Sequence, residues 1–420
     1  MESTTLQIPD QSLLDEPTAR SLDWTKDTIE RYGPRLAGTA SCLNTAGCIR
    51  EELEKICGSA SLETFTAHPL AFMNFYKINV AVYLIVVTLL LYNLALPAAI
   101  GLLFIMVTGM LEFGYYREFF DRLFPPKRCA NVWSRLEPQG EVKQQIIISG
   151  HHDSPQEILF LKRFQKLFAF RAFAPDFFHI GGIILSLTWV VIQSISGQPP
   201  VYAGALKVFM IVGLLFVVPK FFLVGQKVSP GAGDNLIASA MTIQTAQMFS
   251  DQQETGMSSL KNTRLIFISF DAEESGLRGS RAFVRQHRTE LQSVPTYMLN
   301  IDSIYNAKQL QFMLTDLNGY VKLSQETALE CQQIARQAGY PARLTRMLFG
   351  GGATDAAELA KAGVKATTMI AMPTEIIREG LVYHTLQDTI DRVEPAAVQA
   401  CLRVIHDFIL KKEVQATVKL

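Results

Sequence analysis

Two long apolar stretches limit what this 420-residue chain can fold into more than any other feature of its sequence. The first covers approximately Ile78–Leu111 and contains no charged residue. A helix that crosses a bilayer needs roughly 20 apolar residues, so this stretch is long enough for two slightly short helices. Asn93 and Pro97, near its middle, indicate a tight turn. We therefore predict a transmembrane hairpin here.

The second apolar stretch has the same form. Its two halves, His179–Ser196 and Tyr202–Val224, flank a turn at Gly197–Pro200. The only charges in it, Lys207 and Lys220, are near the ends of the predicted helices, where a lysine can extend its amine toward water. Buried helices of soluble proteins are usually shorter and carry a polar stripe, which these segments lack. The sequence thus predicts an integral membrane protein with four transmembrane helices.

The charges around the hairpins predict their orientation. Two hairpins place the rest of the chain on one side of the bilayer, and the hairpin turns carry no Lys or Arg. The flanks on the other side are rich in basic residues, which are enriched on cytoplasmic segments. These residues are Lys77, Arg117, Arg122, Lys127, Arg128, Lys162, Arg163, Lys166, Arg171 and Lys227. We therefore expect the part of the chain outside the membrane to be cytoplasmic.

Composition excludes some classes of protein. Lys plus Arg and Asp plus Glu are both 39, so no net charge attracts nucleic acid, and no nucleic-acid partner is expected. The six cysteines form no CxxC pair or zinc-finger spacing, which is typical of free thiols in a reducing compartment. The first 16 residues are polar and acidic and do not resemble a signal peptide.

Without the hairpins, the chain reads as alternating strands and helices. The clearest helix follows Pro395, with apolar residues Val398, Leu402, Ile405 and Ile409 at helical spacing. Strand-like runs are Leu62–Ala67, Gln145–Gly150, Arg264–Phe270, Thr296–Ile301, Gln309–Leu314 and Ala366–Ala371. This alternation predicts the α/β class: a mostly parallel or mixed sheet flanked by helices, with the two hairpins inserted into its connections. The predicted boundaries are 1–77, 113–178 and 225–420 for the α/β domain, and 78–112 and 179–224 for the hairpins.

Acidic residues and histidines collect where these strands end. The run at 145–150 leads into His151-His152-Asp153, the run at 264–270 into Asp271-Ala272-Glu273-Glu274, and the run at 296–301 into Asp302. Ligands of such sheets bind beyond the carboxyl ends of the strands. Two more polar segments are Gly231–Asn235, which opens a helix, and Tyr383–Thr389.

Together these segments offer imidazole and carboxylate ligands and no thiolate. This mixture suits Zn²⁺ or a similar divalent ion in a catalytic site. The adjacent acids Glu273 and Glu274 can divide the work, because one can bind metal while its neighbour acts as a general base. Each segment alone has an ordinary structural explanation, such as a helix cap or a turn.

In the order of these motifs, the chain resembles the members of peptidase family M28. These are zinc aminopeptidases with a phosphorylase/hydrolase-like fold. Gly33–Thr39 looks like the GPRxxGT segment of that family. The other motifs are HxD at His151–Asp153, DN at Asp234–Asn235, EE at Glu273–Glu274, the strand-end Asp302, and YHTxxDT at Tyr383–Thr389. The similarity covers nearly all of the chain outside the hairpins.

The resemblance implies a site with two zinc ions. His151 and Asp302 would hold one ion, Glu274 and His384 would hold the other, and Asp234 would bridge them. The implied activity is that of a zinc-dependent exopeptidase of the aminopeptidase type, in which a metal-activated water attacks a peptide carbonyl.

The resemblance also implies roles for the neighbouring residues. Glu273 would take a proton from the water and pass it to the leaving amine, and Tyr383 would donate to the developing oxyanion. Asp153 and Asp388 would orient the ligands. Family spacing favours His151 over the adjacent His152 as the ligand.

Two segments depart from the family pattern. Leu-Ile-Ala-Ser follows Asp234-Asn235 where a Ser-Gly pair is usual, and Thr354-Asp355-Ala356 replaces Ser-Asp-His. Neither change removes a ligand, but both alter the substrate pocket. Two alternatives stay open: a glutaminyl-cyclase-like acyltransferase with one zinc, and an inactive membrane scaffold or receptor. Peptides and the lipid bilayer are the predicted partners, and the helices could serve as an anchor, as a homodimer interface, or as walls that deliver apolar peptides.

Overall fold

The computed structural model of the protein describes residues 11–162, 164–256, 260–373 and 380–418. Arg163, one of the basic residues that flank the predicted hairpins, and residues 1–10 of the polar N-terminus lie outside these ranges. Within them, the predicted fold class is confirmed: a mixed sheet is flanked by helices, and two apolar helical hairpins are inserted into its connections.

Most of the strands belong to one nine-stranded sheet. The strands are β1 Ser61–Ala67, β2 Lys127–Leu136, β3 Gln144–His151, β4 Gln156–Ile158, β5 Val224–Val228, β6 Thr263–Phe270, β7 Thr296–Ile304, β8 Leu310–Asp316, β9 Val321–Lys322, β10 Arg343–Arg346 and β11 Lys365–Ala371. Their order is β1-β2-β6-β3-β7-β11-β8-β10, with β9 paired to β8. The six predicted runs coincide with β1, β3, β6, β7, β8 and β11.

The centre of the sheet is parallel and its flanks are mixed. β6, β3, β7 and β11 run in one direction. β2 pairs antiparallel with β6 on one side, and β8 pairs antiparallel with β11 on the other. The carboxyl ends of the parallel strands therefore meet at one edge, where β3 ends at His151 and β6 leads into Asp271.

Helices cover both faces of the sheet. They are α1 Asp15–Tyr32, α2 Ala40–Cys57, α3 Ala71–Leu91, α4 Ala95–Gly109, α5 Leu159–Lys162, α6 Phe168–Ser196, α7 Ala203–Val217, α8 Ile237–Glu254, α9 Arg278–Leu291, α10 Gln325–Gln337, α11 Ala356–Lys361 and α12 Pro395–Val418. Alternate residues of β3 enter different cores: Ile146 and Ile148 pack with α8 and α12, whereas Ile147 packs with α9 and α11. This alternation explains why a strand buried on both faces is apolar along its whole length.

The two hairpins are α3–α4 and α6–α7, and both begin before the apolar stretches do. α3 starts at Ala71 rather than near Ile78, and α6 starts at Phe168 rather than at His179. The first turn is Tyr92–Leu94, and Pro97 lies in the first turn of α4, where a missing N–H costs nothing. β4 and β5 pair at the base of the second hairpin.

The hairpins pack against each other as a four-helix bundle. Its core includes Tyr83, Leu102, Trp189 and Met210, so each of the four helices contributes. Large apolar side chains such as Ile100, which is 59% exposed, cover the outer face. Four helical segments are long and apolar enough to cross a membrane: Ala71–Leu91, Ala95–Gly114, Gln165–Ser196 and Ala203–Phe222.

Candidate metal centre

His151 is the end of β3, and three carboxylates surround its ring. Its Nε2 atom is 3.5 Å from Asp234 Oδ1 and 3.8 Å from Glu273 Oε2. Its Nδ1 atom is 3.3 Å from Asp153 Oδ1. Because the imidazole is 1% exposed, these acids dominate its environment.

Asp234 connects this group with the C-terminal part of the chain. It lies in the irregular turn Ala232–Leu236 that precedes α8, and its carboxylate is between the two histidines. Asp234 Oδ2 is 3.1 Å from His384 Nε2, which is also 3.2 Å from Glu274 Oε2. Segments separated by 150 residues of sequence therefore converge on one carboxylate, as the motif order predicted.

Two overlapping groups of ligand atoms result. One comprises His151, Asp234 and Glu274, and the other comprises His151, Glu273 and Asp302; within each group the ligand atoms lie within 4.8 Å of one another. Nitrogen and carboxylate oxygen are the ligands of catalytic zinc. The donor set therefore suits zinc, and the two groups have His151 in common.

Two of these atoms are buried without a hydrogen-bond partner in the described ranges. They are His151 Nε2 and Glu274 Oε1. A buried polar atom without a partner costs free energy, on the order of 1–3 kcal/mol. Because His151, Asp234 and Glu274 offer ligand atoms within 4.8 Å of one another, a cation bound between them would give these atoms a partner, and the residues fit the implied metal.

Two further aspartates hold the backbone that carries these ligands. Asp153 accepts hydrogen bonds from the backbone N–H groups of Glu273 and Glu274, at 3.1 and 3.2 Å. Asp388 does the same for Gly233 and Asp234, at 2.9 and 3.2 Å. Each carboxylate thus fixes a loop rather than only a side chain.

The backbone near the ligands includes unusual conformations. Ala272 (φ 56°), Ser303 (φ 53°) and His384 (φ 54°) lie in the left-handed region, which residues other than glycine rarely adopt. Each is a predicted site residue or adjoins one. Such conformations cluster at functional sites, where the surrounding fold holds them.

Burial and mutual charge shift the pKa values of the cluster strongly. Burial raises the pKa of Glu274 to about 8 and that of Asp302 to about 7. For His384, burial opposes the charged form, but Glu274 and Asp234 outweigh it and raise the pKa to about 10. A cation bound to this cluster would displace protons from these groups.

Tyr383 and His152 have distinct surroundings. The Tyr383 ring stacks on the His384 ring with centroids 3.9 Å apart, and burial raises its pKa well above the usual value, so its hydroxyl is protonated at neutral pH. His152 points away from the cluster, and its Nδ1 atom is 2.9 Å from the Ser269 hydroxyl. Burial lowers the pKa of His152 to about 3, which keeps it neutral.

Two buried residues near the cluster, Arg35 and Asp355, were not identified from the sequence as site residues. Arg35, in the Gly33–Thr39 motif, is fully buried and donates to the carbonyl oxygens of His152 and Gly231, both at 2.8 Å. It thereby ties the His151 loop to the Asp234 loop. Asp355 is a fully buried carboxylate, and burial raises its pKa well above the usual value. In the sequence, only its position in the altered Thr354-Asp355-Ala356 segment indicated that Asp355 could lie near the site.

Comparison with known families agrees with this geometry. The model described as "Peptidase family M28" matches residues 218–409. The resemblance to peptidase family M28 is confirmed. The matched region contains Asp234, Glu273, Glu274, Asp302 and His384, and it begins directly after α7, so it leaves out β3 and nearly all of both hairpins. The comparison with curated proteins gives no match.

Solved structures with the same fold include aminopeptidases and glutaminyl cyclases. A zinc aminopeptidase from Bacillus subtilis is 15% identical, with a TM-score of 0.55, and the alignment covers 94% of this chain and 95% of that one. An aminopeptidase from Aneurinibacillus sp. strain AM-1 is 14% identical (TM-score 0.53; 94% and 95% covered). A glutaminyl cyclase from Fimbriiglobus ruber is 12% identical (TM-score 0.52; 93% and 94% covered). At these identities the likeness shows the fold alone.

Proposed function

We propose that this M28-like protein is a membrane-anchored exopeptidase of the aminopeptidase type that uses two zinc ions. The observation that carries the proposal is the convergence of two histidines and several carboxylates on one buried space. His151 and Asp302 would hold one ion and Glu274 and His384 the other, with Asp234 between them. The 3.1 Å distance between Asp234 and His384 supports the bridging position.

The chain's own residues would carry the proton transfers. When bound, zinc would polarise the substrate carbonyl and make water nucleophilic near neutral pH. Glu273 would accept the proton of the attacking water and deliver it to the leaving amine. Glu273 is buried, and its Oε2 atom is 3.8 Å from His151 Nε2, so its carboxylate adjoins the proposed ligands. The protonated hydroxyl of Tyr383 would donate to the carbonyl oxygen as negative charge develops there.

The proposed topology places the four apolar helices in a bilayer and the sheet on its cytoplasmic side. The boundaries 78–112 and 179–224 for the hairpins, and 1–77, 113–178 and 225–420 for the peptidase domain, are part of this proposal. It is supported by the length of the helices, their exposed apolar outer faces and the basic residues at their flanks. Peptide substrates, a lipid bilayer and a homodimer are the proposed partners.

Metal content and substrate preference test the function together. The purified protein should contain two zinc ions per chain and should hydrolyse peptides with a free N-terminus but not their N-acetylated forms. Cleavage of both forms at equal rates would contradict the exopeptidase proposal. Two bound ions with no hydrolysis of any peptide would favour the inactive scaffold.

A glutaminyl-cyclase-like acyltransferase is the second candidate, because glutaminyl cyclases share the fold at a similar TM-score. It predicts one zinc ion per chain and cyclisation of peptides with N-terminal glutamine, with release of ammonia. The Asp234 carboxylate lies between His151 and His384, with Oδ1 3.5 Å from His151 Nε2 and Oδ2 3.1 Å from His384 Nε2. This arrangement favours the two-metal exopeptidase. A glutamine-initiated peptide in the substrate panel separates the two reactions.

A further inference from the structure

A single cavity connects the metal-ligand cluster with the bundle of hairpin helices. Its volume is about 460 Å³, and Asp234, Glu274 and His384 line one part of it. Other parts of its wall come from the hairpins, including Val80 of α3, Ile105 of α4, Ile180 of α6 and Val217 of α7. The hairpins therefore form part of the substrate cavity and are not only a distant anchor.

The wall that the hairpins contribute is mainly apolar and aromatic. Its few ionic groups are paired with one another: Asp176 Oδ1 is 3.9 Å from Lys220 Nζ and 3.4 Å from His179 Nδ1. Asn79, also in the wall, accepts a hydrogen bond from Thr108 at 3.0 Å. Because the charges offset one another, this part of the cavity favours a neutral, apolar occupant over an ionic group.

We propose that the hairpin part of the cavity binds a long apolar chain that adjoins the cleaved bond. The substrate class is then an amphiphilic peptide or aminoacyl amide. Its free amine and reacting carbonyl would lie at the ligand cluster, and its hydrocarbon-rich segment would lie between the hairpins. This inference rests on the proposed function for the reaction and extends it to the substrate.

Continuity and packing support this occupant. An apolar chain in the cavity would contact side chains of all four hairpin helices while its amide reaches Glu273 and Tyr383, which line the same space. Binding energy from a remote apolar chain can promote reaction at the carbonyl. Each methylene that leaves water for an apolar site contributes about threefold to fourfold in affinity.

Gly109 offers a way to fill the cavity without disturbing the backbone. It is the last residue of α4 and lines the cavity, and a Cβ atom placed on it would meet no atom within 4 Å. Gly109→Leu would therefore add four carbon atoms to a residue of the cavity wall. Gly204, in the first turn of α7, has the same open surroundings but does not line the cavity, so Gly204→Leu is a matched control.

Two series of probes test the inference in the full-length protein in nanodiscs. Leucyl n-alkylamides carry the chain on the leaving amine, and 2-aminoalkanoyl methylamides carry it on the other side of the bond. With rates referred to the free aqueous concentration of substrate, kcat/KM in one series should rise roughly 100-fold over four methylenes. Gly109→Leu should reduce the long-to-short ratio at least tenfold, whereas Gly204→Leu should leave it unchanged.

A binding readout separates this inference from the proposed function. A leucyl alkylamide with a terminal diazirine should crosslink to α3, α4, α6 or α7 on illumination, and Gly109→Leu should suppress the crosslink. Hydrolysis without dependence on chain length, or crosslinks only outside the hairpins, would overturn the inference and leave the peptidase proposal intact. Specific crosslinks without any hydrolysis would support the subsite and contradict the peptidase.

Discussion

The loops that carry the candidate metal ligands and the bundle of hairpin helices are stabilised in opposite ways. In the loops, buried charges are held by hydrogen bonds from distant backbone, as when Asp153 fixes Glu273 and Glu274. In the bundle, apolar side chains pack inside and further apolar side chains point outward, with few polar contacts. The loops need the whole sheet to form, whereas each hairpin is built from residues close in sequence.

This difference predicts how each region responds to change. Loss of one charge in the loops should alter chemistry or metal binding with little effect on membrane association. A new charge on the bundle should do the reverse. Residues of both regions line the same cavity.

The largest effect should come from Glu273→Gln. Loss of a general base typically costs about 10²–10⁴-fold in rate, so peptide hydrolysis should fall by at least that factor. The amide has the same shape as the carboxylate and leaves the proposed ligands unchanged, so zinc content should stay at two per chain. Initial rates and metal analysis on the same sample measure both.

The zinc count also tests whether Glu273 is a ligand instead of a base, because its carboxylate lies within 4.8 Å of ligand atoms of His151 and Asp302. A fall to one zinc ion in Glu273→Gln would assign it to the metal. Glu290→Gln, a substitution outside the cluster, serves as the control and should change neither quantity.

A charge on the outer face of the bundle should produce the next largest effect. Leu187 lies near the middle of the apolar part of α6 and is 40% exposed. Leu187→Asp should make membrane insertion of that helix less favourable by about 3 kcal/mol. The measured quantity is the fraction of protein that resists alkaline extraction from membranes.

The matched substitution outside the bundle is Val414→Asp. Val414 is an exposed apolar residue of α12, where a surface change usually costs less than about 0.5 kcal/mol. If Leu187→Asp and Val414→Asp had equal and small effects on extraction, the bundle would not be embedded in lipid.

Asp153→Asn should produce an intermediate effect in the loops. The amide keeps one acceptor for the two N–H groups of Glu273 and Glu274 and places an N–H donor against the other. Loss of such a supporting contact typically lowers metal affinity about 10–100-fold, which competition with a chelator measures. Asp316→Asn is the control, because Asp316 also accepts backbone N–H bonds, from Leu317 and Thr354, but outside the ligand groups. Equal losses of affinity in both variants would point to a general loss of stability.

The fold was predictable where a strand is apolar along its length, and less so elsewhere. β2 escaped prediction, although it lies between β1 and β6, because polar residues interrupt its apolar pattern. Two of them are buried with partners distant in sequence: Asn131 donates to Gly279, and Ser134 donates to Ser59. Sequence alone does not show which polar residues find such partners.

The candidate site was predictable for a different reason. Five ligand candidates were named because motif order resembles a family, and the structure brings all five together. The cavity was not predictable, because it depends on where α3 and α6 begin. Both helices continue past the apolar stretches toward the sheet and bring residues such as Phe75 and Phe173 to the cavity wall.

The last comparison concerns one hydroxyl group of the α/β domain and one of the bundle, and the bundle substitution should have the smallest effect of all. Thr354 donates to the buried carboxylate of Asp316 at 2.6 Å, and Thr108 donates to the Asn79 side chain at 3.0 Å between α3 and α4. Thr354→Val should lower the free energy of unfolding by about 1.5–3 kcal/mol, because it removes a hydrogen bond to a charged group, the one that the Thr354 hydroxyl donates to Asp316 Oδ2. Thr108→Val should cost only about 0.6 kcal/mol, since polar groups in membrane helices find other partners when a bond is lost. The Asn79 side chain stays anchored, because its Nδ2 atom still donates to the Ile105 carbonyl oxygen at 3.4 Å, although its Oδ1 atom loses the Thr108 hydroxyl. Unfolding in mixed micelles measures both changes, and a cost for Thr108→Val as large as that for Thr354→Val would show that the bundle behaves as the core of a water-soluble domain.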